Sequence, residues 1–159
     1  MEYIVKRCER RELPMVAHMY NQLSFELKEI SGDAYFDFKE VSDHTMERIL
    51  RNAIAECGLI IYVALEGEEV VGYISGSIKK SFMPLSSTKQ VGYIEGAFVQ
   101  EEFRREHVMA MLEDALVEEF KNRGVYYIEL NVLQANETAK SAWEKRGYET
   151  FRKQMRKKI

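Results

Sequence analysis

Two apolar runs separated by a two-residue turn limit this chain more than any other feature. Residues 59–66 read LIIYVALE, residues 69–80 read EVVGYISGSIKK, and Gly67-Glu68 lies between them. Runs rich in Val, Ile and Tyr, parted by a short glycine turn, form a β-hairpin. A sheet must grow around that hairpin, so the other segments are read for what they add to it.

Upstream, EYIVKRC alternates and predicts a first strand. From Glu12 the spacing changes. Leu13, Val16, Met19, Tyr20, Leu23 and Leu27 recur at three or four, the mark of an amphipathic helix. Pro14 suits its first turn, and Ser31-Gly32-Asp33 breaks it. A second helix fits 42–56, with Met46, Ile49, Leu50, Ala53 and Ile54 on one face, and Gly58 stops it.

Downstream of the hairpin, a loop with Pro84 and several serines leads to a strand ending at Val99. Residues 104–123 predict the clearest helix, with Val108, Met111, Leu112, Ala115, Leu116 and Phe120 on one face. VYYIELNVL reads as a strand. Asn136 caps a short helix to Arg146, and residues 148–159 read as a last strand. The order β-α-α-β-β-β-α-β-α-β predicts an α/β (α+β) class: one mixed sheet with helices on its faces.

Length and charge narrow the function. The 159 residues suit one domain spanning 1–159 with one core. Hydrophobic residues make up 46% and charged residues 31%, a globular balance. A net charge of −3 gives no basic field for nucleic acid. No apolar run approaches the ~20 residues of a membrane span. The charged start, MEYIVKRCERRELP, lacks the apolar core of a signal peptide, which predicts a cytoplasmic protein. Cys8 and Cys57 form no Cys-x-x-Cys pair and the three histidines do not cluster with them, so no metal is expected. Reduced thiols in or near the core are the plainer reading.

The junction after the strand at Val99 carries the chemistry. FVQEEFRREHVMAML runs from an apolar strand end through Arg104 and Arg105 into a helix. A helix start offers unpaired N–H groups and partial positive charge, and it binds phosphate when a strand delivers it into a crevice. By itself the stretch favours the plainer reading, a helix whose first turn happens to carry charge, because short basic pairs are common.

YIEGAFV, the arginine-led helix and NETAKSAWEKRGY, taken with the element order, resemble the GNAT superfamily of acetyl-CoA-dependent N-acetyltransferases. The resemblance covers nearly the whole chain. It implies a mainly antiparallel twisted sheet flanked by about four helices, with acetyl-CoA as cosubstrate and an amine-bearing small molecule or protein as acceptor. The family turn Gln/Arg-x-x-Gly-x-Gly/Ala maps onto Arg104, Arg105, Glu106, His107, Val108 and Met109, with His107 and Met109 in the small positions. Helical backbone is open to both, so their amides can still point at a pyrophosphate. Their side chains must swing aside or the phosphates sit further out. A lost charge-assisted hydrogen bond would cost roughly 1.5–3 kcal/mol, about tenfold or more in affinity.

The same resemblance makes Glu95 the candidate base, and Gly96 beside it suggests a β-bulge. It assigns the N–H groups of Ala97, Phe98 and Val99 to the acetyl carbonyl and pantetheine arm. Asn136, Ala139 and Gly147 match the second family signature, but Trp143 stands where a tyrosine usually protonates the thiolate. Indole N–H donates a hydrogen bond without ionising usefully. Trp143 can pack against pantetheine or fill core, and Asn136 can cap a helix or touch the cofactor. Around the first two helices, Glu26, Glu29, Asp33 and Asp37 lie among Phe25, Tyr35, Phe36 and Phe38 and could attract a cationic amine, or form a polar helix face over core aromatics. Two functions stay open: an N-acetyltransferase, or a weak or inactive binding or regulatory module on the same scaffold. An exposed edge strand would allow a homodimer.

Overall fold

A computed structural model describes residues 2–159. The sheet has five strands in the order β1-β2-β3-β4-β5. β1 (Tyr3–Arg7), β2 (Ile60–Glu66), β3 (Glu69–Lys80) and β4 (Gln90–Val99) pair antiparallel in sequence. β5 (Ile128–Glu129) runs parallel to β4. Four α-helices flank the sheet: α1 (Leu13–Ser31), α2 (Asp43–Glu56), α3 (Val108–Asn122) and α4 (Glu137–Lys145).

Strand alternation divides the core in two. In β2, Ile61, Val63 and Leu65 pack with Leu13, Val16, Met19 and Leu50 of α1 and α2. Ile60 and Ala64 pack on the other side with Val108, Leu112, Leu116 and Phe120 of α3. Strands covered on both faces must be apolar throughout, which is why the hairpin reads as nearly continuous hydrophobic sequence. No helix among the described residues is long and apolar enough to cross a membrane.

The hairpin, α1 and α2 lie where periodicity and caps put them, and the Ser42 hydroxyl accepts the Thr45 N–H as the N-cap of α2. Three expectations are corrected. The helix expected from Arg104 starts at Val108, because Arg105 and His107 take left-handed φ of 76° and 61° and cannot continue a right-handed helix. The strand expected over 125–133 is paired only at Ile128 and Glu129, against Gly92 and Tyr93, after which β4 and β5 part. Residues 148–159 form no strand. Their cations find scattered partners instead of a ladder. Arg156 pairs with Asp33, and Arg152 lies 4.3 Å from the centroid of the Phe82 ring.

Candidate active site

Divergence of β4 from β5 opens one end of the sheet, and a bulge in β4 determines what faces the opening. Ser75 lies opposite Gly96 and Gly76 opposite Ile94, leaving Glu95 as the extra residue. Two backbone hydrogen bonds show the effect. The Gly92 N–H donates to the Tyr127 carbonyl on the β5 side at 2.8 Å, whereas the Gln100 N–H donates to the Val71 carbonyl of β3 at 2.9 Å. Both residues are even-numbered, so uninterrupted alternation would aim them the same way. One extra residue reverses the pattern. Beyond it, the amides of Ala97 and Val99 face the edge β5 has left, and the amide of Phe98 faces β3. Phe98 contributes its ring, 5.2 Å from the Arg104 guanidinium.

The bulge also sets the Glu95 carboxylate on the α1–α2 side. It accepts from the Ser77 hydroxyl at 2.8 Å and pairs with the Lys79 ammonium at 2.9 Å. Glu95 and Ser77 line a pocket of about 270 Å³ with Tyr20 of α1, Ala53 of α2, Cys57 and Leu59. Beneath it, Tyr20 stacks on Tyr73 with centroids 4.7 Å apart, and its hydroxyl bonds that of Ser75. Gly96 makes this approach feasible: a Cβ there would lie 3.1 Å from the Tyr73 hydroxyl and 3.3 Å from that of Tyr20. Burial pushes the Tyr20 pKa up to about 12, against the lowering effect of Ser75 and with a further push from Glu95. Burial likewise raises Tyr73 well above the ordinary tyrosine range. Both phenols are therefore neutral at physiological pH. The Tyr73 hydroxyl is the one buried side-chain polar atom among the described residues with no hydrogen-bond partner.

The turn between β4 and α3 lies at the open edge. Arg104 Nε donates to the Val99 carbonyl at 2.8 Å, and its other end reaches Glu26 at 3.4 Å. The guanidinium thus ties the end of β4 to α1. Arg105, Glu106 and His107 are exposed, Val108 is buried, and Met109 packs partly into the α3-side core. His107 is the N-cap of α3 but gives no side-chain cap bond. The first N–H groups of α3 are left for another acceptor, the property that suits a helix start to an anion. His107 reaches this arrangement from a left-handed conformation, not the helical one the sequence allowed.

The remaining candidates sit further along. Asn136 caps α4, its side-chain carbonyl accepting the Ala139 N–H at 3.2 Å. Trp143 is partly buried against the α3-side core and meets Tyr148 edge-on at 5.3 Å. The Tyr148 hydroxyl donates to Glu113 at 2.8 Å. Of the carboxylates near the first two helices, Glu26 pairs with Arg104, Asp33 with Arg156 and Asp37 with Lys28. Both cysteines are free thiols: Cys8 is half-buried against the α1–α2 core, and Cys57 is exposed at the end of α2. Among the described residues no group of three or more His, Cys, Asp or Glu is placed to hold a metal ion.

Sequence reasoning missed Tyr20, Ser77, Lys79 and Tyr93. Tyr20 carries the helical spacing of a core residue, which hides its hydroxyl. The others come together only through register: Ser77 lies opposite Tyr93, and the next residue on the same face of β3 is Lys79. The bulge signalled by Gly96, used to set the pairing, was the one available clue.

The family model described as Acetyltransferase (GNAT) family matches residues 25–148. No curated protein is similar enough in sequence to match. Among solved structures, AAC(6')-Iy in complex with a bisubstrate analogue, CoA-S-monomethyl-acetylneamine, is 15% identical with a TM-score of 0.79, over 100% of this chain and 99% of that one. A predicted acetyltransferase from Clostridium acetobutylicum, solved with acetyl-CoA, is 15% identical with a TM-score of 0.76, over 99% and 96%. The aminoglycoside 6'-N-acetyltransferase AAC(6')-IG from Acinetobacter haemolyticus is 17% identical with a TM-score of 0.76, over 98% and 99%. At these identities the likeness is one of fold.

Proposed function

The chain belongs to the GNAT family of acetyltransferases, and from that premise we propose that it transfers an acetyl group from acetyl-CoA to an amine of a small molecule or protein. The observation that carries this reading is the bulge at Glu95, which supplies both halves of the chemistry. On one side it frees the Ala97 and Val99 amides to receive the thioester carbonyl and the arm behind it. On the other it lifts a carboxylate into the pocket beside α1 and α2. The N–H groups at the start of α3, from Val108 and Met109, supply the pyrophosphate seat, with Arg105 and the His107 ring beside it.

The chemistry follows from these positions. An alkyl amine is protonated at neutral pH, with a pKa of ~10.4, and must lose a proton before it attacks. Glu95 accepts that proton, directly or through water. Nitrogen forms a bond to the carbonyl carbon, the carbon–sulfur bond breaks, and the sulfur leaves as thiolate. Oriented N–H groups stabilise the oxyanion that forms between these events. Trp143 cannot supply a proton to the sulfur, so water serves that role; a thiol of pKa ~8.5 is already a fair leaving group. The similar structures with CoA or acetyl-CoA support the choice of cosubstrate, and the names of the aminoglycoside enzymes support an amine acceptor.

A second reading, a weak or inactive module on the same scaffold, draws on the ion pair that already occupies Glu95. Thiol release from acetyl-CoA across a panel of amines separates the two. Turnover is expected, and Glu95→Gln lowers it by about a hundredfold or more. The loss is greatest at low pH, where unprotonated amine is scarce. A variant as active as the parent at every pH removes Glu95 from the reaction, and binding without turnover on any amine favours the module.

A further inference from the structure

The resident partner of Glu95 is itself a primary alkylammonium. Lys79 Nζ lies 2.9 Å from Glu95 Oε1 and 4.0 Å from the centroid of the Tyr93 ring. A carboxylate on one side and an aromatic face on the other form a cage for a cation. Its walls are fixed independently of Lys79. Ser77 donates to the carboxylate at 2.8 Å, and the Asn131 amide donates to the Tyr93 hydroxyl at 2.7 Å. The occupant is not fixed: the Lys79 side chain is 48% exposed, and an exposed ion pair holds a flexible lysine only weakly.

We propose that Glu95 and Tyr93 form a subsite for a primary ammonium on an unbranched carbon arm, and that Lys79 occupies it as an internal competitor. An incoming amine displaces the Lys79 ammonium and takes up the same two contacts, while Lys79 swings into solvent. The shape of the cage selects the ligand. The ammonium sits between an acid and a ring face, at the rim of the pocket lined by Tyr20, Ala53, Cys57 and Leu59. A slender chain fits such a site, and a neutral molecule of the same shape gains nothing from either wall. The assignment of this cation as the acetyl acceptor rests on the acetyl-transfer reading; the competition for the cage does not.

The test is a titration with n-butylamine, in its protonated form at neutral pH and without acetyl-CoA, followed by calorimetry. The Lys79→Met variant is expected to bind about tenfold tighter than the parent. Adding Glu95→Gln or Tyr93→Leu to Lys79→Met is expected to abolish that gain, with thermal melts confirming that each variant is folded. Neutral n-butanol is expected to bind none of them. Equal affinity of parent and Lys79→Met overturns the competition, and tight binding that survives Glu95→Gln overturns the cage. Because no cosubstrate is present, either result leaves acetyl transfer to be judged separately by thiol release.

Discussion

The turn between β2 and β3 and the turn between β4 and α3 both leave the right-handed backbone, with opposite choices of residue. In the first, Gly67 takes φ 60°, and open space surrounds the position where a Cβ would stand. The glycine is there for its backbone alone. In the second, Arg105 and His107 take φ 76° and 61°, and they are the only non-glycine residues with positive φ among those described. Gly32, Gly58, Gly124 and Gly147 take positive φ elsewhere. The chain thus uses glycine wherever a loop needs only this conformation, and departs from that practice within a single turn. A left-handed L-residue costs roughly 1–2 kcal/mol. Strain held in one place points to a site where the side chains matter, and here that place faces the open edge of β4.

Substitutions can break or sharpen that contrast. The largest effect is expected from Gly67→Val, which puts a β-branched residue into a conformation it rarely adopts. Urea unfolding should show a loss of about 2 kcal/mol, with acetyl-CoA affinity unchanged, since the hairpin turn lies outside the proposed site. A smaller effect of the opposite sign is expected from His107→Gly. It relieves left-handed strain and should stabilise by about 1 kcal/mol. It also removes a side chain from the proposed seat, so acetyl-CoA should bind tighter if that side chain obstructs the phosphates. Unchanged affinity with raised stability would show that the imidazole stands clear of them.

Legibility in the sequence followed the same divide. β3 over residues 69–80 was readable from composition and turn, because burial on both faces of residues 70–77 leaves a nearly continuous run of apolar and small residues. α2 was readable because Ser42 caps it and Gly58 follows it. The family resemblance pointed to Glu95 by its place late in the fourth strand, and Gly96 signalled the bulge that the pairing of β3 with β4 displays. The turn at 104–107 was misread as helix because Arg and His take positive φ too seldom to announce it. The tail was misread as a strand although its apolar residues, Phe151, Met155 and Ile159, recur every four positions and do not alternate; its cations make separate ring and ion-pair contacts. The cage of Lys79, Glu95 and Tyr93 was invisible for a third reason. It depends on cross-strand register, which one extra residue in β4 shifts for everything beyond it.

Backbone amide shifts measured by NMR, as coenzyme A is added to isotope-labelled protein, probe the seat without any assumption about the acceptor. The amides of Ala97 and Val99 and those from Arg105 to Met109 should move together and saturate with one affinity, while those around Gly67 stay fixed. Shifts confined to other surfaces, or none at all at millimolar coenzyme, would contradict a cosubstrate held by the open edge of β4 and the start of α3.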